Sequence, residues 1–164
     1  LHPGFDSWKK TKEISKQKNL LERVVLNELN KCRQHWLRFS WRDTWKNQNE
    51  AGIIHDSTLM FNDRPGFRNS SAIAWHPWNS LEASAHEIIA EPTIFMDSHF
   101  YNYKQMSGSE RRRTIYKFVN ECRFVSGTAS LLWHPHSLSK DYGWEKGYYE
   151  CIEVVKDLYD PLSN

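Results

Sequence analysis

The sequence predicts a parallel α/β fold in which short strands and helices alternate along the chain. Three segments of the sequence each run into one or more histidines: residues 31–35, 92–99 and 130–136. The carboxyl ends of parallel strands meet at one edge of a sheet, where α/β folds place their chemistry. The recurrence therefore predicts a site built from several strand ends. The alternative is that each histidine only caps its own strand by bonding a nearby backbone group.

The first half of the chain has the pattern of a helix, a strand, a second helix and a second strand. Apolar residues at helical spacing predict a helix over residues 8–29, and a strand of about five residues follows at 32–36. Ser40 and Asp43 have the spacing of a capping box, which predicts a helix that Gly52 closes. A short strand then leads from Ile53 towards Asp56.

Residues 61–84 are rich in proline, glycine, asparagine and serine, and this composition predicts a long loop. The following apolar run predicts a strand over residues 88–96. Pro92 stands in its middle and has no backbone N–H, so the strand must lie at an edge or carry a bulge there.

The last third of the chain repeats the alternation. Ser107 and Glu110 form a capping box ahead of a helix with a buried stripe. A strand over 128–134 follows, and apolar residues from Trp144 to Tyr159 mark a final amphipathic helix.

The composition indicates one globular domain over residues 1–164. The net charge of +2, from 22 basic and 20 acidic residues, does not indicate a nucleic-acid partner or a charged membrane surface. The sequence contains no apolar run long enough to cross a bilayer and no signal-peptide pattern. Cys32, Cys122 and Cys151 are widely spaced and odd in number, which favours reduced thiols and a cytoplasmic location.

Six segments, in this order, give the sequence a resemblance to a known family. They are Leu1–Pro3, Cys32–Arg38, Ala51–Thr58, Pro65–Arg68, Phe95–Asp97 and Leu131–Pro135. Together they resemble the polysaccharide deacetylase family, and more narrowly a bacterial branch of these NodB-homology proteins with an RQHxLR segment and an LLWH segment. The resemblance spans nearly the whole chain, and its specificity comes from the order of six individually weak motifs.

The resemblance implies an irregular (β/α) barrel that removes acetyl groups from N-acetylated sugars with a divalent metal, expected to be zinc. The family's first motif supplies an aspartate base and a metal ligand, and this chain opens at Leu1 where the second motif would stand. We therefore expect a truncated or processed chain that holds part of the barrel and is inactive by itself.

The metal residues implied by the resemblance are His2 and Asp6. His2 matches the metal-binding histidine of the second motif, and imidazole is a good zinc ligand. Asp6 stands where the family has a second histidine. Its carboxylate either binds the metal or caps the helix that follows.

The catalytic residues implied by the resemblance are Arg33 and His134. Arg33 matches the arginine that orients the catalytic aspartate, and the alternative is a plain salt bridge at a strand end. His134 matches the histidine that protonates the leaving amine, a role that an imidazole can perform at neutral pH.

Other residues near these motifs are expected to contact the sugar, and we expect His2, His35 and His134 to converge around one cleft into which Arg33 points. Aromatic faces stack on sugar rings, although eight tryptophans in one domain must mostly serve packing. The expected sugar-binding residues are His35, Trp36, Arg68, Asp97 and Trp133.

The sequence therefore predicts metal-dependent deacetylation of an N-acetylated sugar in a polysaccharide or glycan precursor. A non-catalytic glycan-binding domain on the same scaffold is the alternative, and a protein-interaction module without a sugar ligand is a third class. The sequence leaves the sugar, the linkage, the metal identity and the oligomeric state open.

Overall fold

The computed structural model describes residues 1–159 and contains two compact units. The first unit consists of Leu1–Leu59 and Ala74–Glu91, and the second consists of Met60–Ile73 and the chain from Pro92 onward. The expectation of a single domain over the whole chain stays a prediction.

Residues 1–159 form four α-helices and seven short strands, and five of the strands follow one another between α2 and α3. The helices are α1 (Thr11–Val25), α2 (Thr44–Glu50), α3 (Gly108–Phe124) and α4 (Glu145–Tyr159). The strands are β1 (Lys31–Cys32), β2 (His55–Asp56), β3 (Trp78–Asn79), β4 (Ser84–Ala85), β5 (Ile89–Ala90), β6 (Thr93–Met96) and β7 (Ser130–Leu132). Short 3₁₀ turns cover Ser7–Lys9, His35–Leu37 and Pro135–Leu138, and a π-helical turn covers His99–Tyr103.

A parallel sheet in the order β1-β2-β5 lies at the centre of the first unit. Leu1 continues this sheet beyond β1, because its nitrogen donates to the Lys31 carbonyl at 2.7 Å and its carbonyl accepts from Arg33 N at 3.0 Å. Helices α1 and α2 pack together, and apolar side chains from both join the strands in one core. The buried members of this core are Ile14, Cys32, Trp45, Ala51, Ile53, Leu59, Ile88 and Ala90.

The sequence predictions for the first unit are correct in the order of helices and strands and wrong in several boundaries. The predicted strand over 32–36 is only partly present, because β1 ends at Cys32 and a 3₁₀ turn covers His35–Leu37, where Trp36 has φ of 55°. The predicted helix over 8–29 becomes a 3₁₀ turn followed by α1, which ends where Leu26 adopts a left-handed backbone with φ of 53°. The predicted capping box is wrong, because the Ser40 hydroxyl donates to the Asp43 carboxylate in a turn and α2 begins only at Thr44. Gly52 follows α2 with φ of +77°, as a helix-closing glycine should.

Two further predictions concern the middle of the chain. The predicted loop over 61–84 overlaps an antiparallel hairpin of β3 and β4 in the first unit, which the composition did not indicate. The predicted strand over 88–96 is present as β5 and β6, with the interruption at Glu91 and Pro92. This confirms the irregularity that Pro92 predicted.

The second unit combines the parallel pair β6 and β7 with the packed helices α3 and α4. The Ser107–Glu110 capping box is confirmed, since the Ser107 hydroxyl accepts from Glu110 N and the Glu110 carboxylate accepts from Ser107 N. Between the helices, the Arg111 guanidinium donates to both carboxylate oxygens of Glu150, at 2.6 Å and 3.0 Å. This two-point pair is largely buried, which fixes how α3 and α4 pack.

The α/β class is therefore confirmed at the level of mixed helices and small parallel sheets. No sheet formed by residues 1–159 closes on itself. None of the helices in this part of the chain combines the length and the hydrophobicity needed to cross a membrane.

Replacing Gly147 with alanine should destabilise the second unit. A Cβ at this position would lie 2.6 Å from Tyr101 Oη and 2.9 Å from a Trp133 ring carbon. Tyr101 cannot swing aside easily, since its ring stacks on Trp144 at 4.9 Å. We expect a loss of about 1–3 kcal/mol in the free energy of unfolding, measured in urea. Gly108→Ala is the control, because the new Cβ meets nothing closer than 3.5 Å, and an equal loss in both variants would contradict this packing.

Candidate functional site

The predicted site residues fall into two clusters, one in each unit. The carboxylate–imidazole pair consists of Asp97 and His134 in the second unit. The histidine pair consists of His2 and His35 in the first unit.

Asp97 follows β6 directly, and its side chain is completely buried. Its carboxylate accepts hydrogen bonds from Ser98 N at 2.8 Å, His134 N at 3.0 Å, His134 Nδ1 at 2.8 Å and Ser137 Oγ at 2.7 Å. A buried carboxylate is tolerable only when such donors replace its hydration shell. Asp97 therefore fixes the chain that follows β7.

His134 is oriented by this carboxylate. A carboxylate can only accept, so the proton of the 2.8 Å bond sits on His134 Nδ1 and the second nitrogen, Nε2, faces away from Asp97. The imidazole is 44% exposed, whereas Asp97 is wholly enclosed. An imidazole held through Nδ1 with Nε2 accessible can give or take a proton at that nitrogen.

Asp97 is also one of the expected sugar-binding residues. Its buried carboxylate is surrounded by its donors and orients His134, and its predicted sugar contact stays a prediction. Trp133 packs into the core of the second unit, with its ring centroid 6.1 Å from that of Phe100. Arg68 donates from Nη1 to the Met60 carbonyl at 3.3 Å. The predicted sugar contacts of Trp133 and Arg68 stay predictions.

His2 is also oriented through Nδ1, in this case by a backbone carbonyl. Its Nδ1–H donates to Arg33 O at 2.7 Å, and the Nε2 lone pair is left for another partner. Burial lowers the pKa of His2; the bond to the Arg33 carbonyl opposes this shift, and the nearby side chains of His35 and Arg33 add to it. The His35 ring lies nearly parallel to that of His2, with centroids 5.1 Å apart and planes inclined by 17°.

Arg33 follows β1 directly, and its side chain bonds to the residue after β2. Its Nε donates to Ser57 O at 3.2 Å. Burial lowers the pKa of its guanidinium, although attraction from Asp56 and Glu91 opposes that shift. The predicted role of Arg33 as partner of a catalytic aspartate stays a prediction.

Asp6 and Trp36 lie at the surface of the same unit. The Asp6 carboxylate accepts from Arg38 Nη1 at 3.1 Å and is 77% exposed. Trp36 is 75% exposed and meets the Phe5 ring edge-on at 6.1 Å. Within residues 1–159, no group of three or more histidine, cysteine, aspartate or glutamate side chains is placed to hold a metal ion.

Of the three histidines that were expected to converge, two lie together. His2 and His35 are stacked, whereas His134 belongs to the second unit, so its position relative to them stays a prediction.

The sequence analysis missed Ser137 and the partners of Asp56. Ser137 is fully buried in the turn that begins at Pro135, and a hydroxyl three residues after His134 was the available signal. In the first unit, buried Asp56 accepts from Trp45 Nε1 at 3.0 Å, from Gln48 Nε2 at 2.8 Å and from the Thr58 hydroxyl. Burial raises the pKa of Asp56, and these donors oppose the shift.

His99, the other histidine that ends a predicted strand, has a structural role. It is almost completely buried, its Nδ1 accepts from Met96 N at 3.3 Å, and its Nε2–H faces the carbonyls of Phe61 and Asn62. Both ring nitrogens are therefore in use, and burial lowers the pKa of this imidazole.

Comparison of the chain with protein-family models, with curated proteins and with solved structures gave no match.

Replacing Asp97 with asparagine should destabilise the second unit and weaken the constraint on the orientation of His134. The amide offers only one acceptor oxygen to donors on Ser98, His134 and Ser137, so we expect a loss of about 3 kcal/mol in urea unfolding. Nitrogen NMR of the imidazole should show that His134 no longer keeps its proton on Nδ1 alone.

Asp63→Asn is the matched control, since that carboxylate is exposed beside Arg64 and should change stability by less than about 0.5 kcal/mol. If Asp97→Asn does not fold, Ser137→Ala removes one donor and should cost about 1 kcal/mol. An unchanged His134 tautomer in a folded Asp97→Asn protein would contradict the assignment.

Acid should destabilise the protein through His99. The folded pKa of His99 lies below its unfolded value, so the neutral ring contributes stability above the unfolded pKa and loses it as the pH falls. Between pH 7 and pH 5, the wild type should lose more unfolding free energy than His99→Gln, which cannot be protonated. The other histidines are common to both proteins and cancel in this comparison. Parallel stability curves would show that His99 is not the group responsible.

Proposed function

We propose that this chain is a carbohydrate deacetylase-like domain in which His134 supplies the proton for the leaving amine. The reaction would remove the acetyl group from an N-acetylated sugar in a polysaccharide or glycan precursor. One observation carries the proposal: His134 is tied through Nδ1 to the buried carboxylate of Asp97, while its side chain is 44% exposed. This is the arrangement that proton transfer to a leaving group requires.

The proposed step uses a protonated His134. Water adds to the acetamide carbon, and the carbon–nitrogen bond then breaks as the Nε2 proton passes to the amine nitrogen. Acetate and a free amino sugar are the products. Asp97 holds the imidazole through Nδ1, so Nε2 is the nitrogen that gives the proton. The resemblance to the deacetylase family implies that an aspartate of the family's first motif accepts the proton that the water loses.

The proposal includes a divalent metal, expected to be zinc, which would polarise the amide carbonyl and a water molecule. The described residues do not supply a complete set of ligands, because no three metal-binding side chains cluster within residues 1–159. The proton transfer described above is therefore derived from His134 and Asp97 alone.

The finer fold assignment belongs to the same proposal. We propose that the strands form part of an irregular (β/α) barrel. Two features support this: β1, β2 and β5 run parallel in the first unit, and β6 and β7 run parallel in the second. Short parallel strands joined through helices are the building units of such barrels.

The proposal is tested by acetate release from N-acetylglucosamine oligomers by the full-length gene product supplied with zinc. His134→Gln should lower the rate by about 10²–10⁴-fold, the usual contribution of a general acid. His136→Gln is the control, because that exposed imidazole is close to His134, with ring centroids 5.5 Å apart, but is not bound to Asp97. Oligomer binding without acetate release in the wild type would overturn catalysis and favour the glycan-binding alternative.

A further inference from the structure

A strip of aromatic rings leads away from His134 within the second unit. The His136 ring lies 5.5 Å from that of His134, measured between ring centroids, and the Tyr142 ring lies 5.1 Å from that of His136. Trp144 follows at 4.6 Å from Tyr142 and stacks on Tyr101 at 4.9 Å. The strip therefore runs from the imidazole of the proposed reaction to rings that pack on the core of this unit.

Tyr142 is the tyrosine of this strip that is both packed and open to solvent. Its ring is nearly perpendicular to the rings of His136 and Trp144, at 80° and 82°. Nevertheless, 45% of the residue is exposed. A side chain that packs on two neighbours has already lost much of its rotamer freedom, so a ligand that covers it pays little further entropy.

The backbone fixes the place of this strip relative to His134. Ser137 N donates to the His134 carbonyl at 3.0 Å, and Trp144 N donates to the Ser137 carbonyl at 3.2 Å. The Ser137 hydroxyl also donates to the buried Asp97 carboxylate. The segment that carries the aromatic rings is therefore anchored at the same point as the imidazole.

The turn before Trp144 places Tyr142. The N–H groups of Tyr142 and Gly143 both donate to the Ser139 carbonyl, at 3.1 Å and 2.9 Å. Gly143 has φ of +77°, a conformation that glycine adopts without the steric cost of a side chain. The proton donor and the exposed tyrosine thus belong to one hydrogen-bonded segment, which is the kind of rigid support that a binding site needs.

We propose that the Tyr142 ring contacts a second sugar residue of an oligosaccharide substrate, adjacent to the residue whose amine His134 protonates. The inference rests on the proposed function and specifies its substrate class. It makes the preferred substrate a chain of linked sugars in place of a free monosaccharide.

The chemistry of tyrosine suits this neighbour. A pyranose has C–H groups on its faces and hydroxyls around its rim, and tyrosine has an apolar ring with one polar tip. At most two ring-to-ring steps, of 5.5 Å and 5.1 Å, separate Tyr142 from His134. A pyranose residue is similar in size to one such step, so a chain with one sugar at His134 brings the next within reach of Tyr142. His136 lies between them as a packing neighbour and needs no contact with the sugar.

The experiment compares N-acetylglucosamine with its tetramer on the full-length gene product supplied with zinc. Calorimetry gives the dissociation constants, and acetate release gives kcat and KM. The wild type should bind the tetramer about tenfold more tightly than the monosaccharide, since the monosaccharide cannot occupy both positions at once. In NMR spectra, the tetramer should shift the ring resonances of Tyr142, which Tyr142→Phe identifies.

Three variants locate the contact. Tyr142→Ala should raise the tetramer's KM and dissociation constant about tenfold, while kcat and the monosaccharide's KM stay close to those of the wild type. Tyr142→Phe keeps the ring and should behave as the wild type does. Tyr116→Ala is the matched control, because Tyr116 lies on α3 of the same unit and is 51% exposed. Circular dichroism checks that each variant is folded.

Three results would overturn the inference: equal tetramer binding in the wild type and Tyr142→Ala, an equal loss in Tyr116→Ala, and Tyr142 resonances that the tetramer leaves in place. The last needs only the wild type and Tyr142→Phe, so it decides even where Tyr142→Ala does not fold. Acetate release by the wild type would then still support the proposed function. If the tetramer binds at Tyr142 and the wild type releases no acetate, the glycan contact stands and the proposed reaction fails.

Discussion

The structure of the second unit depends on one buried carboxylate, which needs hydrogen-bond donors in place of water. Asp97 is fully enclosed at the end of β6, and an ionised carboxylate in that position is tolerated only if donors replace water. Those donors come from the next residue, Ser98, and from the segment after β7, where His134 and Ser137 lie. The same hydrogen bonds therefore hold two segments together and orient the one imidazole that the proposed chemistry uses.

Asp56 is a buried carboxylate of the first unit that has no imidazole among the donors named here. It also ends a parallel strand and is buried, but its donors are the indole of Trp45, the amide of Gln48 and the hydroxyl of Thr58. None of these groups exchanges protons near neutral pH, so the network can only stabilise the fold. The two strand ends thus differ in their donor sets, since an imidazole is among the donors to Asp97 and absent from those named for Asp56.

The sequence predicted those features that depend on local chemistry. The Ser107–Glu110 capping box, the glycine after α2 and the irregularity at Pro92 each follow from the conformational limits of a few neighbouring residues. The start of α2 at Thr44 was missed because Ser40 bonds the Asp43 side chain within a turn. Ser137 and the orienting role of Asp97 were missed because they join residues about 40 positions apart, and no periodicity marks such a contact.

The acceptor on Nδ1 distinguishes the two oriented histidines. His2 donates to a neutral carbonyl, and burial lowers its pKa, so its environment favours the neutral ring. His134 donates to the buried carboxylate of Asp97, which fixes the orientation of the ring. The acceptor is therefore a backbone group in the first unit and a side chain in the second. A substitution at Asp97 can remove the acceptor of His134, whereas no substitution removes the backbone carbonyl that holds His2.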